Sequence, residues 1–161
     1  MKTKSKFGQR GEWYVIVQLL LFALIFFAPL LGRKLVDWPK PWDMIGIGLG
    51  VLLILIGALI ALAGVLSLGR NLTAVPYPKE DAVLVESGIF RLVRHPIYSG
   101  IILGSFGWGL LNNSLLTLLL ALILFIFFDI KSRREEQWLS EKYVNYSTYQ
   151  ARVRKLIPLI Y

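Results

Sequence analysis

The stretch Arg94-His95-Pro96-Ile97-Tyr98-Ser99-Gly100 stands where a polar loop ends and an apolar run begins, and it continues as Ile-Ile-Leu-Gly-Ser-Phe-Gly-Trp-Gly-Leu-Leu. It holds the only histidine of the 161 residues. Proline suits the first turn of a helix, where its missing N–H would have had no partner. A glycine at position 100 lets a second backbone or a ligand come close. Arginine beside histidine can hold an anion, and the same pair at the foot of a membrane helix can be an interface anchor. The surrounding chain has to decide between the two.

Downstream, apolar runs at 97–111 and 115–130 have 15 and 16 residues and are joined by Asn112-Asn113-Ser114. As helices they reach about 22 to 24 Å, short of a hydrocarbon core of about 30 Å, so they draw on flanking residues or thin the bilayer. The spacing predicts a tight helical hairpin that carries Arg94 and Asp129 to one membrane face. Gly100, Gly104 and Gly107 give its first helix a small-residue side, where a neighbouring helix or a flat ligand can lie.

Upstream, residues 44–68 form another apolar run, with Gly46, Gly48 and Gly50 near its start. These do not make a dinucleotide loop, because no alternating strand precedes them and no βαβ unit fits inside a continuous apolar run. Gly46 and Gly50 are four apart, as are Gly57 and Ala61, which predicts close helix packing. The run at 13–31 follows Lys2, Lys4, Lys6 and Arg10 and so starts like a signal peptide. At 19 residues it is long enough to span, and no Ala-x-Ala site follows, so it reads as a retained first helix with Trp13 and Tyr14 at the interface. Trp38-Pro39 and Pro41-Trp42 mark a turn at the opposite interface.

Hydrophobic residues make up 56% of the chain, and the mean hydropathy is +0.61. The class is therefore an all-α integral membrane protein of about four transmembrane helices, with room for a fifth, interfacial or C-terminal helix. The net charge of +8 does not point to nucleic acid, since the basic residues flank apolar runs and form no recognised binding module. With no cysteine there is no disulfide and no thiolate nucleophile, and one histidine cannot build a multi-histidine site, so no metal is expected. Oligomeric state is not readable.

Residues 69–93 are polar and irregular, and a 25-residue connection of this kind is often functional. After Asp129 the chain turns basic and acidic by turns, through Lys131, Arg133, Arg134, Glu135 and Glu136, then Tyr143, Tyr146 and Tyr149. No breaker interrupts 115–150, which predicts one helix leaving the membrane, with Asp129–Arg133 and Ser132–Glu136 paired at i,i+4. The tyrosines would form a stripe on it, read as interface packing. Residues 156–161 are apolar enough to return to the interface. With a cytoplasmic N-terminus, the N-terminal tail, long loop and C-terminal tail carry four, four and seven basic residues, against Arg33, Lys34 and Lys40 opposite. Such a positive-inside bias predicts cytoplasmic termini and a cytoplasmic site.

Three polar clusters thus share one layer: Arg94, His95 and Tyr98; Glu135 and Glu136; Arg152 and Arg154. Paired carboxylates with fixed cations suit a zwitterionic ligand. The ordered set Arg-His-Pro-x-Tyr-x-Gly, helical hairpin, Glu-Glu, Tyr-x-x-Tyr-x-x-x-Val and terminal Ile-Pro resembles the isoprenylcysteine carboxyl methyltransferase family. The related phospholipid N-methyltransferases share the outline. The resemblance runs from about Leu68 to Pro158, taking in Leu68-Gly69-Arg70-Asn71 and Ser87-Gly88-Ile89-Phe90. It departs where Arg154 follows Val153, a place often held by proline.

The resemblance implies a single membrane methyltransferase domain over 1–161: two N-terminal spans in 1–68, then cofactor loop, hairpin and C-terminal helix in 69–161. It implies S-adenosylmethionine as cofactor, S-adenosylhomocysteine as product, the lipid bilayer as setting and a lipophilic methyl acceptor as partner, with no nucleic acid and no metal. His95, Tyr98, Gly100, Gly104, Glu135 and Glu136 are the expected cofactor residues, and Arg94 and Arg152 the expected catalytic cations for a carboxylate acceptor. An ionised carboxylate needs no general base. A phosphatidylethanolamine amine would, and Glu135, Glu136 or His95 can serve it. A non-catalytic small membrane protein is the third reading.

Overall fold

The computed structural model describes residues 10–32, 38–157 and 160–161, and its regular elements are helical. Of the residues used above, Lys2, Lys4, Lys6, Arg33, Lys34 and Pro158 lie outside the described ones. The helices are α1 (Glu12–Gly32), α2 (Trp42–Leu68), α3 (Pro96–Leu111), α4 (Leu115–Lys142) and α5 (Tyr146–Arg152). Three of them, α1, α2 and α4, are long and apolar enough to cross a membrane, and α3 is a shorter apolar helix. The protein is a multi-pass, all-helical membrane protein, as its apolar runs predict.

The helices are not arranged in chain order. α2 packs along α3, α4 lies on another side of α3, and α1 packs on α4 with a brief touch on α3. Glycines set the α2–α3 distance. A Cβ added at Gly57 would come 2.5 Å from the Gly100 carbonyl, and one at Gly50 would come 2.5 Å from Leu111 N and 2.7 Å from the Gly107 carbonyl. The expected small-residue packing therefore exists, and its partner is α3.

Each end has a local cause. α2 stops at Gly69, whose φ of +49° is open to a residue without Cβ and whose N–H caps Val65 O. Proline opens α3 at its first position. The hairpin closes on buried Ser114, whose hydroxyl accepts from Thr117 N (3.3 Å) and caps α4. α4 runs 28 residues, about 42 Å, so its last third projects beyond the apolar layer.

Two expectations are corrected. The helix does not continue to 150; α4 ends at Lys142 and α5 begins at Tyr146. No breaker residue causes this. Tyr143 is drawn toward the long loop, its hydroxyl donating to Ala82 O at 2.6 Å, and Val144 is left 95% exposed. Asp129 and Arg133 do pair, at 2.8 Å, but Ser132 donates to Asp129 O at 3.0 Å because Glu136 is taken up elsewhere.

Candidate functional site

α3, α4 and the C-terminal segment meet at Glu136, whose side chain is 9% exposed. Arg94 Nε donates to Oε1 at 2.8 Å, His95 Nε2 lies 2.9 Å from the same oxygen, and Gln150 Nε2 donates to Oε2 at 2.9 Å. Arg94 also donates through Nη1 to Gln150 O (3.0 Å) and Val153 O. Burying a carboxylate and a guanidinium is tolerable only when pairing and hydrogen bonds replace water, and both groups are satisfied here. The C-terminal segment lies alongside: Arg94 N donates to Arg154 O (2.8 Å), His95 N to Lys155 O (3.1 Å) and Ser99 Oγ to Leu156 O (2.6 Å). The terminal stretch folds back as well, since Asp129 binds Lys155 and accepts from the Tyr161 hydroxyl at 2.7 Å.

Next to this knot lies a cavity of about 230 Å³. Its walls are His95 just before α3, Tyr98 and Ile101 of α3, Lys131, Glu135 and Leu139 of α4, Gln18 of α1 and the tyrosines 143, 146 and 149, and the long loop roofs it from Asn71 to Val85. Asn71 Oδ1 accepts from Val83 N (3.2 Å) within the loop, and the helices tie it down, Lys142 donating to Glu80 O (3.0 Å), Tyr143 OH to Ala82 O (2.6 Å) and Tyr149 OH to Phe90 O (2.8 Å). Burial raises the Tyr146 and Tyr149 hydroxyls above the usual tyrosine range, so both stay neutral. The tyrosines expected to be interface packing are thus partly cavity wall.

Inside the cavity Tyr98 OH donates to Glu135 Oε2 at 2.7 Å, with His95 Nδ1 3.9 Å from the same oxygen. The Tyr98 ring is sandwiched, stacking on His95 (centroids 5.3 Å apart) and on Phe128 (4.5 Å). Above it sits Lys131, 2% exposed, its Nζ 5.0 Å from the Tyr98 centroid and donating to Gln18 Oε1 at 2.6 Å. Among the described residues no carboxylate is in ion-pair range of that ammonium.

Of the expected site residues, Arg94, His95, Tyr98, Glu135 and Glu136 are brought together, but unequally. Glu135 faces the cavity; Glu136 does not line it and holds the fold. Arg94 borders the cavity with its guanidinium already committed. Arg152 stands apart, 64% exposed and 2.8 Å from Glu86 of the loop. Gly100 faces α2, where a Cβ would collide with the Gly57 carbonyl, so its flat side is filled by a helix. Gly104 meets open space and borders a second, apolar cavity of about 240 Å³ with Phe22, Ile25 and Trp108. Lys131 and Gln18 were missed. Both carried a signal: Gln18 is the one amide in the run 13–31, and Lys131 shares a helix face with Phe128 and Glu135 at i,i+3 and i,i+4 spacing.

A family model described as Phospholipid methyltransferase matches residues 45–146. A probable protein-S-isoprenylcysteine O-methyltransferase of Oryza sativa subsp. indica is 31% identical over 69% of this chain and 60% of its own. The protein-S-isoprenylcysteine O-methyltransferase of Schizosaccharomyces pombe is 39% identical over 50% of this chain and 35% of its own. A cobalt-zinc-cadmium resistance protein of Cupriavidus metallidurans is 30% identical over 92% of this chain and 62% of its own. The chain thus spans about 60% of the length of the first of these relatives. In fold it is similar to a eukaryotic intramembrane Ras methyltransferase, isoprenylcysteine carboxyl methyltransferase, with TM-score 0.64 and 24% identity over 93% of this chain and 53% of that one.

Proposed function

We propose, since this chain belongs to the phospholipid methyltransferase family and is similar to isoprenylcysteine O-methyltransferases, that it methylates the carboxylate of a lipophilic, isoprenylcysteine-type acceptor using S-adenosylmethionine. The observation that carries this reading is the cavity itself, where a buried ammonium with no ion-pair partner among the described residues, Lys131, and a carboxylate, Glu135, face one space between helix and loop. The donor set fits the cofactor. Glu135 suits its amino group or ribose hydroxyls, the rings of Tyr143, Tyr146 and Tyr149 on the cavity wall suit a flat base and a sulfonium, and Tyr98 holds Glu135 in place through its hydroxyl. When bound, the cofactor supplies a sulfonium methyl that a carboxylate oxygen takes as the sulfur–carbon bond breaks, leaving a methyl ester and a neutral thioether.

The chain's own residues then have separate tasks. Lys131 receives the acceptor carboxylate, which as an anion offsets a cation otherwise buried without a counter-ion in contact. The loop from Asn71 to Val85 excludes water, which strengthens this attraction. No side chain has to take a proton, because the carboxylate is already ionised. Arg94 and Glu136 hold the tail against α3, and Arg152 ties down the loop. The two parts 1–68 and 69–161 act as one domain, with the site on the cytoplasmic side to which the basic residues incline.

A second reading, phospholipid N-methylation, draws on the family match and on Glu135, which can take the proton of an amine. Calorimetry with the protein in nanodiscs is expected to show S-adenosylhomocysteine binding; silence in nanodiscs and in several detergents overturns both readings. Labelled methyl appearing in base-labile esters of an S-prenylated cysteine supports the first, and label in phosphatidylethanolamine supports the second. Lys131→Met is expected to cut ester formation about 10- to 100-fold, the range for losing a charged hydrogen bond, with cofactor binding retained.

A further inference from the structure

Gln18 lies outside the residues matched by the family model, two turns into the apolar helix α1, yet it lines the reaction cavity. An amide placed there is costly unless it has work to do. Its carbonyl oxygen accepts from Lys131 Nζ at 2.6 Å, across 113 residues of sequence. That bond uses one of three N–H groups of the ammonium and one of the two lone pairs of the amide oxygen. What the pair has left is mostly donors: the ammonium's other N–H groups and the amide NH2, against one lone pair of the amide oxygen. Two donor groups side by side match a ligand with two acceptor oxygens and a negative charge. The ammonium repels a protonated amine, and a neutral amide lacks the negative charge that would answer it.

We propose that Gln18 is the acceptor-specificity residue of this site: bound through its oxygen to Lys131, it turns its NH2 to the acceptor and so selects a carboxylate over an amine or a neutral amide. The inference rests on the carboxyl-transfer reading above and deepens it. Gln18 acts in two ways, positioning Lys131 and donating to the second carboxylate oxygen. Exchange of Gln18 for glutamate reverses the pattern, because the new carboxylate neutralises Lys131 and presents acceptor oxygens to the cavity.

The test uses the full chain in nanodiscs, saturated with S-adenosylhomocysteine and titrated by calorimetry with three probes: S-farnesyl-N-acetylcysteine, its primary carboxamide, and S-farnesylcysteamine. The wild type is expected to prefer the carboxylate over the carboxamide. Gln18→Leu is expected to reduce that preference about ten-fold, the size of one charged hydrogen bond, while the affinity for S-adenosylhomocysteine stays at the wild-type value. Gln18→Glu is expected to bind the amine better than the carboxylate. If Gln18→Leu keeps both the wild-type preference and the cofactor-product affinity, the amide merely ties α1 to α4 and the proposal is overturned. It is equally overturned if Gln18→Glu, folded by its S-adenosylhomocysteine affinity, still prefers the carboxylate. A wild type that binds S-adenosylhomocysteine but does not distinguish the probes overturns the carboxyl reading first, and this inference with it.

Discussion

Along α3, the side carrying Gly100 and Gly107 meets α2 backbone to backbone, whereas the side carrying Tyr98 and Ile101 borders two cavities, with Gly104 at the edge between them, its N 2.9 Å from a Cβ added at Gly57 but its own added Cβ in open space. Both sides come from one 16-residue helix that is rich in glycine. The difference shows that a small residue makes a close seam only where a neighbouring helix's backbone faces it. Gly57 stands opposite Gly100 and Gly50 opposite Gly107, so no space is left there for a ligand. On the other side, large rings hold α1 and α4 off, and the gap becomes the site. The Gly100 slot expected for the cofactor is therefore a helix seam.

Disrupting the seam should have the largest effect. Gly100→Leu drives a side chain into the Gly57 carbonyl and Ala61, and backbone cannot give way as a side chain can. The expected result is loss of the folded, monodisperse protein in size-exclusion chromatography, since this exceeds ordinary overpacking of about 1 to 3 kcal/mol. Next comes the knot at the foot of α3. Arg94→Met leaves Glu136 buried without its cation, at a cost of about 3 to 5 kcal/mol. Thermal unfolding followed by circular dichroism in detergent should show a large drop in midpoint, and restoring charge neutrality with Arg94→Met/Glu136→Gln should recover part of it.

The open side should behave differently. Gly104→Ala adds a methyl where nothing lies within 4 Å and raises helix propensity by about 1 kcal/mol, so the midpoint should hold or rise slightly. A fall would mean that the open side is as tight as the seam. Smallest of all is Arg152→Ala. Its pair with Glu86 is exposed, worth about 0 to 1 kcal/mol, so methyl transfer should change no more than about five-fold. A hundred-fold loss of turnover at unchanged stability would return Arg152 to the chemistry.

The tyrosines and carboxylates show how far sequence reading reaches. Glu135 and Glu136 are both visible beside the Arg-His-Pro motif, and both do meet it. Neighbours on a helix point about 100° apart, so only one of them can face the cavity, and which one depends on how α4 is rotated against α3. The break after Lys142 is equally silent in sequence, because Tyr143 leaves the helix for a carbonyl 61 residues away. The family resemblance places Arg152 with the chemistry, and Arg152 does share a layer with the motif. A shared layer does not specify direction, and its side chain turns outward to Glu86.

Hydrophobic length, turn chemistry and charge placement are local quantities, and they are enough to specify the membrane class, the apolar runs and their hairpin. The helix-packing glycines of α2 and the one polar layer in which the motif residues meet are legible in the same way. It took the folded chain to put α2 against α3 and α1 against α4, to make Glu136 a brace while Glu135 faces the cavity, and to bring Lys131 to Gln18. Each of these depends on the relative rotation and order of helices far apart in the chain. Packing sets that order, and no local pattern encodes it.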